Sequence, residues 1–264
     1  MSIGWRVRTA GVEDAQAIIE LVNGILGTGD DLDSWRWKFL DNPTKKSYIS
    51  VAERGGEIIG HLALLGTWMN LLGVKTMGAM SLDLATHPAY RRQGVYTSLT
   101  KRIHLRAALD GITIMYGIAR PLGLPAALSA GCYDLGPRAR LVKICNPGTI
   151  TKKEIRSPAL GAIGGKLVRL LLGLWAKERS PQQTEHIEIK NIDFFDTRFD
   201  DLWSKVKNDS PVGVWKDSIY LNWRYCSRPG VMYKIFAAQE KGALTGFVVL
   251  RLIDRKYCIG SIVD

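Results

Sequence analysis

Cysteine is scarce in this sequence and never paired. Cys132, Cys145, Cys226 and Cys258 stand far apart, which argues against both a zinc site and a disulfide framework. The four histidines, His61, His87, His104 and His186, are equally scattered. No metal is expected from such spacing. The opening residues, Met1-Ser2-Ile3-Gly4-Trp5-Arg6, hold no apolar signal run, so the cytoplasm is the expected compartment. The apolar stretch 158–176 is interrupted by Lys166 and Arg169. That disfavours a membrane span and puts a connecting helix packed on protein ahead of peripheral membrane contact.

What the chain does have is length, apolar content and positive charge. Its 264 residues are 46% hydrophobic, enough for a packed core in one large domain or two smaller ones. The net charge of +11 gathers at Arg91-Arg92, at Lys101-Arg102 with Arg106, and at Lys152-Lys153 with Arg156. Nucleic-acid binders carry such a surplus, and so do proteins that hold phosphate-bearing ligands. No stacking aromatics are interleaved with the basic residues, as a single-strand binder would require, so nucleic acid is the weaker reading.

The most informative stretch runs from Gly78 to Gly111. Gly78–Ala85 is small and apolar, as in a buried strand. Val95, Leu99, Ile103 and Ala107 recur at helical spacing until Gly111 offers a C-terminal stop. Between strand and helix lie Arg91, Arg92, Gln93 and Gly94. A helix start presents free backbone N–H groups and the positive end of the dipole, and Gly94 removes the side chain that would hold a phosphate away. Strand, basic glycine turn and helix in that order predict a pyrophosphate cradle. The turn is no Walker A loop, since no Gly-Lys-Ser/Thr follows, and it lacks two glycines of a Rossmann turn.

Arg91-Arg92-Gln93-Gly94-Val95-Tyr96 resembles motif A, Arg/Gln-x-x-Gly-x-Gly/Ala, of the GNAT superfamily of coenzyme A-dependent N-acyltransferases. Tyr96 stands where the motif has its second small residue. The resemblance implies an α/β fold with a mixed, partly splayed sheet flanked by helices. It implies acetyl-CoA or another acyl-CoA as co-substrate, and a small-molecule or peptide amine as acceptor. The pyrophosphate would lie against Arg91, Arg92, Gln93, Gly94, Val95, Tyr96 and Thr97. The thioester would lie where two parallel strands part, at Leu84, Ala85 and Thr86, with 112–118 as the neighbour and a strand N–H polarising the carbonyl. Asp83 would be the general base, with a structural aspartate at a bulge as the alternative. Family members often place an acidic tyrosine four residues before a Gly-aromatic pair. Here that position is Ala127, so Tyr133 becomes the candidate acid, with Tyr116 and solvent beside it. A GNAT-like coenzyme A-binding or partner-binding module without catalysis is the competing reading.

The rest of the chain agrees with this order. Trp5-Arg6-Val7-Arg8 has strand character, and Thr9–Asp14 supplies capping residues and early acids for a helix. Ile18, Ile19, Val22, Ile25 and Leu26 carry a helical stripe to Gly27. Trp35–Leu40 is a short aromatic helix stopped by Asp41-Asn42-Pro43. Tyr48–Glu53 and the residues from Ile58 onward read as a hairpin around Arg54-Gly55-Gly56-Glu57. An internal repeat follows. Trp37 and Trp223, Pro43 and Pro229, and Gly60 and Gly246 are each 186 residues apart, as are Ile49/Ile235, Ala52/Ala238 and Gly56/Gly242. The expected organisation is therefore a GNAT-like domain at 1–150, a connecting helical segment at 151–183, and a truncated second copy at 184–264 without a phosphate loop.

Overall fold

The computed structural model describes residues 4–121, 123–137, 141–146, 166, 186–254 and 258–264. The expected connector 151–183, apart from Lys166, lies outside the described residues, as do the 158–176 helix and the Lys152, Lys153, Arg156 cluster. The described elements are mixed α and β, and they fall into two units, 1–134 with 193–232 and 135–192 with 233–264.

The first unit is built on the strands β1 (Arg6–Thr9), β2 (Ser47–Arg54), β3 (Glu57–Leu71), β4 (Val74–Thr86) and β5 (Ile114–Gly117), in that spatial order. Successive neighbours are antiparallel except β4 and β5, which run parallel. Helices α1 (Ala15–Leu26) and α2 (Leu32–Phe39) cover one face, where Ile18, Val22, Trp35 and Phe39 pack on Val51, Ala63 and Ala85. Helix α3 (Val95–Leu109) covers the other, laying Val95, Leu99, Ile103 and Ala107 on Ala52, Leu62, Leu64 and Ala79. The stripe read from sequence is thus the buried face of α3, each large aliphatic side chain contributing roughly 1.5–3 kcal/mol. Gly60 is what lets α3 approach: a Cβ there would sit 2.6 Å from Val95 Cγ1. A short α4 (Leu124–Ser129) follows β5.

The second unit holds a four-stranded antiparallel sheet. Its strands are β6 (Ile187–Ile192), β8 (Lys234–Glu240), β9 (Ala243–Asp254) and β10 (Cys258–Ile262), in the order β10-β9-β8-β6. The two hairpins register alike. In the first, Ala52 faces Gly60 and Glu53 faces Ile58, with a bulge between Ala52 and Glu53. In the second, Ala238 faces Gly246 and Gln239 faces Leu244, with a bulge between Ala238 and Gln239. Each pair is displaced by the 186 residues found in the sequence.

The expected boundary at residue 184 does not coincide with the division of the fold. Residues 193–232 belong to the first unit, and specific contacts hold them there. They form α5 (Arg198–Val206), β7 (Val212–Val214), α6 (Ser218–Leu221) and a π-helical turn at Asn222–Cys226. Strand β7 pairs with the end of β3, Met69 opposite Val214. The buried Asn70 side chain donates to Lys207 O at 2.6 Å and Ser210 O at 2.8 Å. Trp37 and Trp223 stack with centroids 4.7 Å apart and planes 15° apart. Trp37 Nε1 donates to Trp223 O at 2.9 Å and Trp223 Nε1 to Trp37 O at 3.1 Å. The exchange satisfies both indole donors where water is scarce.

Because that pair joins two distant stretches of chain, Trp223→Ala should remove the stack and the bond from Trp223 Nε1 to Trp37 O, while the backbone acceptor of Trp37 Nε1 remains. The expected loss is about 3–5 kcal/mol of unfolding free energy, read from denaturant unfolding of the full chain. A loss below about 1 kcal/mol would mean that other contacts carry residues 193–232.

Candidate active site

The parallel pair β4–β5 is short. It begins with Gly78 opposite Ile114 and ends with Ser81 opposite Gly117. Strand β4 continues to Thr86 while β5 stops, so among the described residues the edge of β4 from Leu82 to Thr86 pairs with no strand on that side. An unpaired strand edge offers backbone N–H and C=O groups to a ligand. The two strands thus part after Ser81 and Gly117.

Which groups face it depends on a bulge. On β3, His61 pairs with Ala85 and Ala63 with Leu82, so β4 carries one extra residue there. Asp83 occupies the bulge with φ of 53°, a left-handed conformation that Asp and Asn adopt more readily than other non-glycine residues. Before the bulge, Thr113 N donates to Met77 O, so the polar groups of Met77, Ala79 and Ser81 face β5. After it, His87 N donates to Ile59 O on β3. Strand alternation then turns Ala85 toward β3 and leaves Leu84 and Thr86 facing the opening. Of the three strand residues expected at the thioester, Leu84 and Thr86 present their N–H groups and Ala85 does not.

Beyond the strand, a 3₁₀ turn at Pro88–Tyr90 leads to the basic glycine turn. Arg92 and Gly94 both have left-handed backbones, φ 62° and 83°, and the space where a Gly94 Cβ would point is open. Gly94 precedes Val95 as the N-cap of α3, and no side chain caps the helix. The first intrahelical bond is Ser98 N to Gly94 O at 3.0 Å, so the Val95, Tyr96 and Thr97 N–H groups lack intrahelical acceptors. Val95 is buried, Tyr96 half-buried and Thr97 exposed. The Arg91 side chain folds back, Nε donating to Thr86 O at 3.3 Å, and Gln93 Nε2 donates to Ala89 O at 2.9 Å. Arg92 is exposed. The residues read as a cradle are contiguous with the open edge of β4.

Asp83 is not a free carboxylate. Its Oδ2 accepts from Lys38 Nζ at 2.8 Å, and the same ammonium donates to Asp30 Oδ2 at 2.6 Å. Lys38, Asp30 and Asp83 side chains are only 13%, 16% and 14% exposed. Asp83 O lies 2.7 Å from Nδ1 of His61, a fully buried residue whose Nε2 meets no hydrogen-bond partner. Burial pushes the His61 ring below the ordinary imidazole range. A carbonyl only accepts, so Nδ1 carries the proton of the neutral ring. Sequence reasoning missed Lys38 and His61. Lys38 lies in an aromatic helix and His61 in an apolar strand, and neither is near Asp83 in sequence.

The candidate acid stands elsewhere. Tyr133 is 92% exposed in the irregular segment after α4. Tyr116 sits on β5 opposite Met80, one residue before the last β4–β5 pair. Burial raises its hydroxyl above the ordinary tyrosine range, opposed by a hydrogen bond with Thr67 and by the charge of Arg224. It carries its proton at neutral pH. Among the described residues no cluster of His, Cys, Asp and Glu could hold a metal, and no helix is long and apolar enough to cross a membrane.

Residues 6–124 match the family model of the acetyltransferase (GNAT) domain. In the solved structures, the chain is similar to a conserved protein of unknown function from Enterococcus faecalis V583, described as a probable N-acyltransferase. The identity is 16% and the TM-score 0.61, over 94% of this chain and 55% of that one, so this chain spans about half the length of that protein. A predicted acetyltransferase with acetyl-CoA from Clostridium acetobutylicum is 18% identical, with a TM-score of 0.45 over 52% of this chain and 96% of that one. An aminoglycoside acetyltransferase from an uncultured soil metagenomic sample, in complex with sisomicin, is 16% identical, with a TM-score of 0.44 over 53% and 96%. No curated protein matches the sequence. At these identities the likeness is one of fold.

The buried neutral His61 has a consequence for stability. In the unfolded chain it titrates near 6.5, and in the native protein lower. Below about pH 6.5 the unfolded state binds the extra proton, so this contribution is complete above that pH and is lost as pH falls, by at most about 1.4 kcal/mol per unit. Asp14, held low by its bond with Arg8, matters only nearer the ordinary carboxylate range of about 4. Unfolding free energy should therefore fall between pH 6.5 and 5 in the wild type and stay flatter in His61→Leu. Equal slopes would show that His61 is protonated in both states.

Proposed function

We propose that this chain, which carries a GNAT acetyltransferase domain over residues 6–124, is an acyl-CoA-dependent N-acyltransferase moving an acyl group, in the first instance acetyl, to an amine acceptor. The observation that carries this reading is the continuity of the open β4 edge with the uncapped start of α3. An extended thioester arm has backbone partners along Leu84–Thr86. Its pyrophosphate has the amides of Val95–Thr97, the positive end of a helix dipole, and Arg91 and Arg92 within the same turn.

Transfer requires a neutral amine, a polarised carbonyl and a proton for the leaving thiolate. The N–H groups that β4 turns outward supply the polarisation. Tyr116, kept protonated beside the end of the β4–β5 pair, is the proton donor the geometry favours, ahead of the exposed Tyr133. Asp83 is tied to Lys38, so taking a proton from the amine would cost it that ion pair. The geometry favours its structural role over its role as base. That same tie favours the competing reading, a coenzyme A-binding module without turnover. The acceptor is an amine of small-molecule or peptide type, and residues 184–264 are read as a partial second GNAT-like unit that lacks the phosphate loop and binds no coenzyme A, a reading supported by the matching hairpin registers.

Coenzyme A and acetyl-CoA should each raise the melting temperature of the wild type, since binding to the native state alone adds RT ln(1 + [L]/Kd). Gly94→Val puts a branched side chain over the amides and into a backbone region it resists, and should abolish the rise. A full rise in the variant would locate the cradle elsewhere. Thiol release from acetyl-CoA with a panel of amines separates the enzyme from the module, which binds without release.

A further inference from the structure

The acyl-CoA reading says where a thioester lies but not what keeps β4 shaped to receive it. The bulge reverses strand parity. Continued without the extra residue, the alternation that turns Met77, Ala79 and Ser81 toward β5 would turn Asp83 and Ala85 into the opening, and Leu84 and Thr86 toward β3. The register shift at His61/Ala63 prevents this. Side chains follow: Leu82 and Ala85 pack under α1 and α2, while Leu84 packs on the α3 side. All of it rests on one residue holding φ of 53°.

We infer that Lys38 and His61 are positioning residues that clamp Asp83 in this conformation, and so aim the Leu84 and Thr86 N–H groups into the opening. Lys38 holds the side chain. Its ammonium, on α2, joins Asp83 to Asp30 in the loop before that helix, at 2.8 and 2.6 Å, so the bulge is tied to an element outside the sheet. His61 holds the main chain, its Nδ1 lying 2.7 Å from Asp83 O. Side chain and carbonyl are thus fixed from opposite ends, and the peptide between Asp83 and Leu84 has little freedom left to rotate. In this arrangement Asp83 works through its backbone, and its carboxylate serves as the handle.

This inference rests on the acyl-CoA reading for its consequence, and two measurements keep the two apart. The first needs no ligand. Ring ¹⁵N shifts of His61 in the full chain should show the neutral Nδ1–H tautomer; the Nε2–H form would overturn the clamp. The second compares acetyl-CoA with coenzyme A by calorimetry. The wild type should prefer acetyl-CoA by about three- to tenfold, the worth of one net hydrogen bond to the carbonyl. Asp83→Ala, whose side chain resists a left-handed backbone and cannot accept from Lys38, should lose the preference while keeping coenzyme A affinity within about twofold. Lys38→Met should do the same. Asp83→Asn, which tolerates the conformation and still accepts from Lys38, should keep it. A folded Asp83→Ala protein that retains the preference would overturn the inference. Should neither ligand bind the wild type, the acyl-CoA reading fails, and the His61 tautomer still decides whether the clamp exists.

Discussion

One extra residue in β4 governs the shape of the first unit. A strand has a period of two, so an insertion of one exchanges its faces for everything that follows. Upstream of Asp83, the odd-numbered residues face α3; downstream, Ala85 faces α1 and Leu84 faces α3. Without the exchange, Leu84 would be driven under α1 and the strand would leave the sheet in the opposite sense. The turn at Pro88–Gly94 and the start of α3 are therefore placed by the bulge as much as by their own residues. The opening beside β4 exists because β5 ends at Gly117, but which amides line it is set at Asp83.

A bulge of this kind is held against two costs. The left-handed backbone costs of the order of 1–3 kcal/mol for a residue other than glycine. Withdrawing Lys38, Asp30 and Asp83 from water adds a desolvation penalty that their mutual attraction only partly offsets. Such a triad is weak evidence for added stability, and its better-supported use is to select one arrangement among several. It also balances charge locally. On a chain of net charge +11, the strand carrying the open amides is flanked by two carboxylates sharing one ammonium. Arg91, whose Nε reaches Thr86 O, and the exposed Arg92 lie further on, in the turn before α3. Positive charge is concentrated at the turn and withheld from the strand.

The turn before α3 was legible in the sequence because its causes are local. A left-handed glycine, two arginines and a helix start fall within five consecutive positions, and the stripe from Val95 to Ala107 reports the buried face of α3 without reference to the rest of the fold. The bulge was not legible, because an aspartate in a strand looks the same whether it is a base, a surface residue or the pivot of a register shift. What distinguishes it is Lys38 and His61, brought from 45 and 22 residues away by packing. Tyr133 follows β5 in the chain but is exposed. Tyr116, half-buried on β5, has the surroundings that raise its hydroxyl. The repeat was visible as spacing, but spacing alone could not tell that its two tryptophans stack on each other, so the boundary drawn between the copies cut through a packed unit.

The repeat also separates what packing requires from what the site requires. Positions sharing the 186-residue offset and an identical residue are those of shape: Trp37 and Trp223 in the stack, Gly60 and Gly246 in the hairpins, Pro43 and Pro229 after the helical turns. The clamp follows a different rule. Lys38 corresponds to Arg224, still a cation, but Asp30 corresponds to Lys216. At that offset an acid in the first stretch is a cation in the second. Two arginines near Trp37, Arg224 and Arg228, lie over its ring, at 6.0 and 5.3 Å from the centroid, where a guanidinium is attracted to the aromatic face. At this offset the residues of shape are identical, while the charge at Asp30 and Lys216 is reversed.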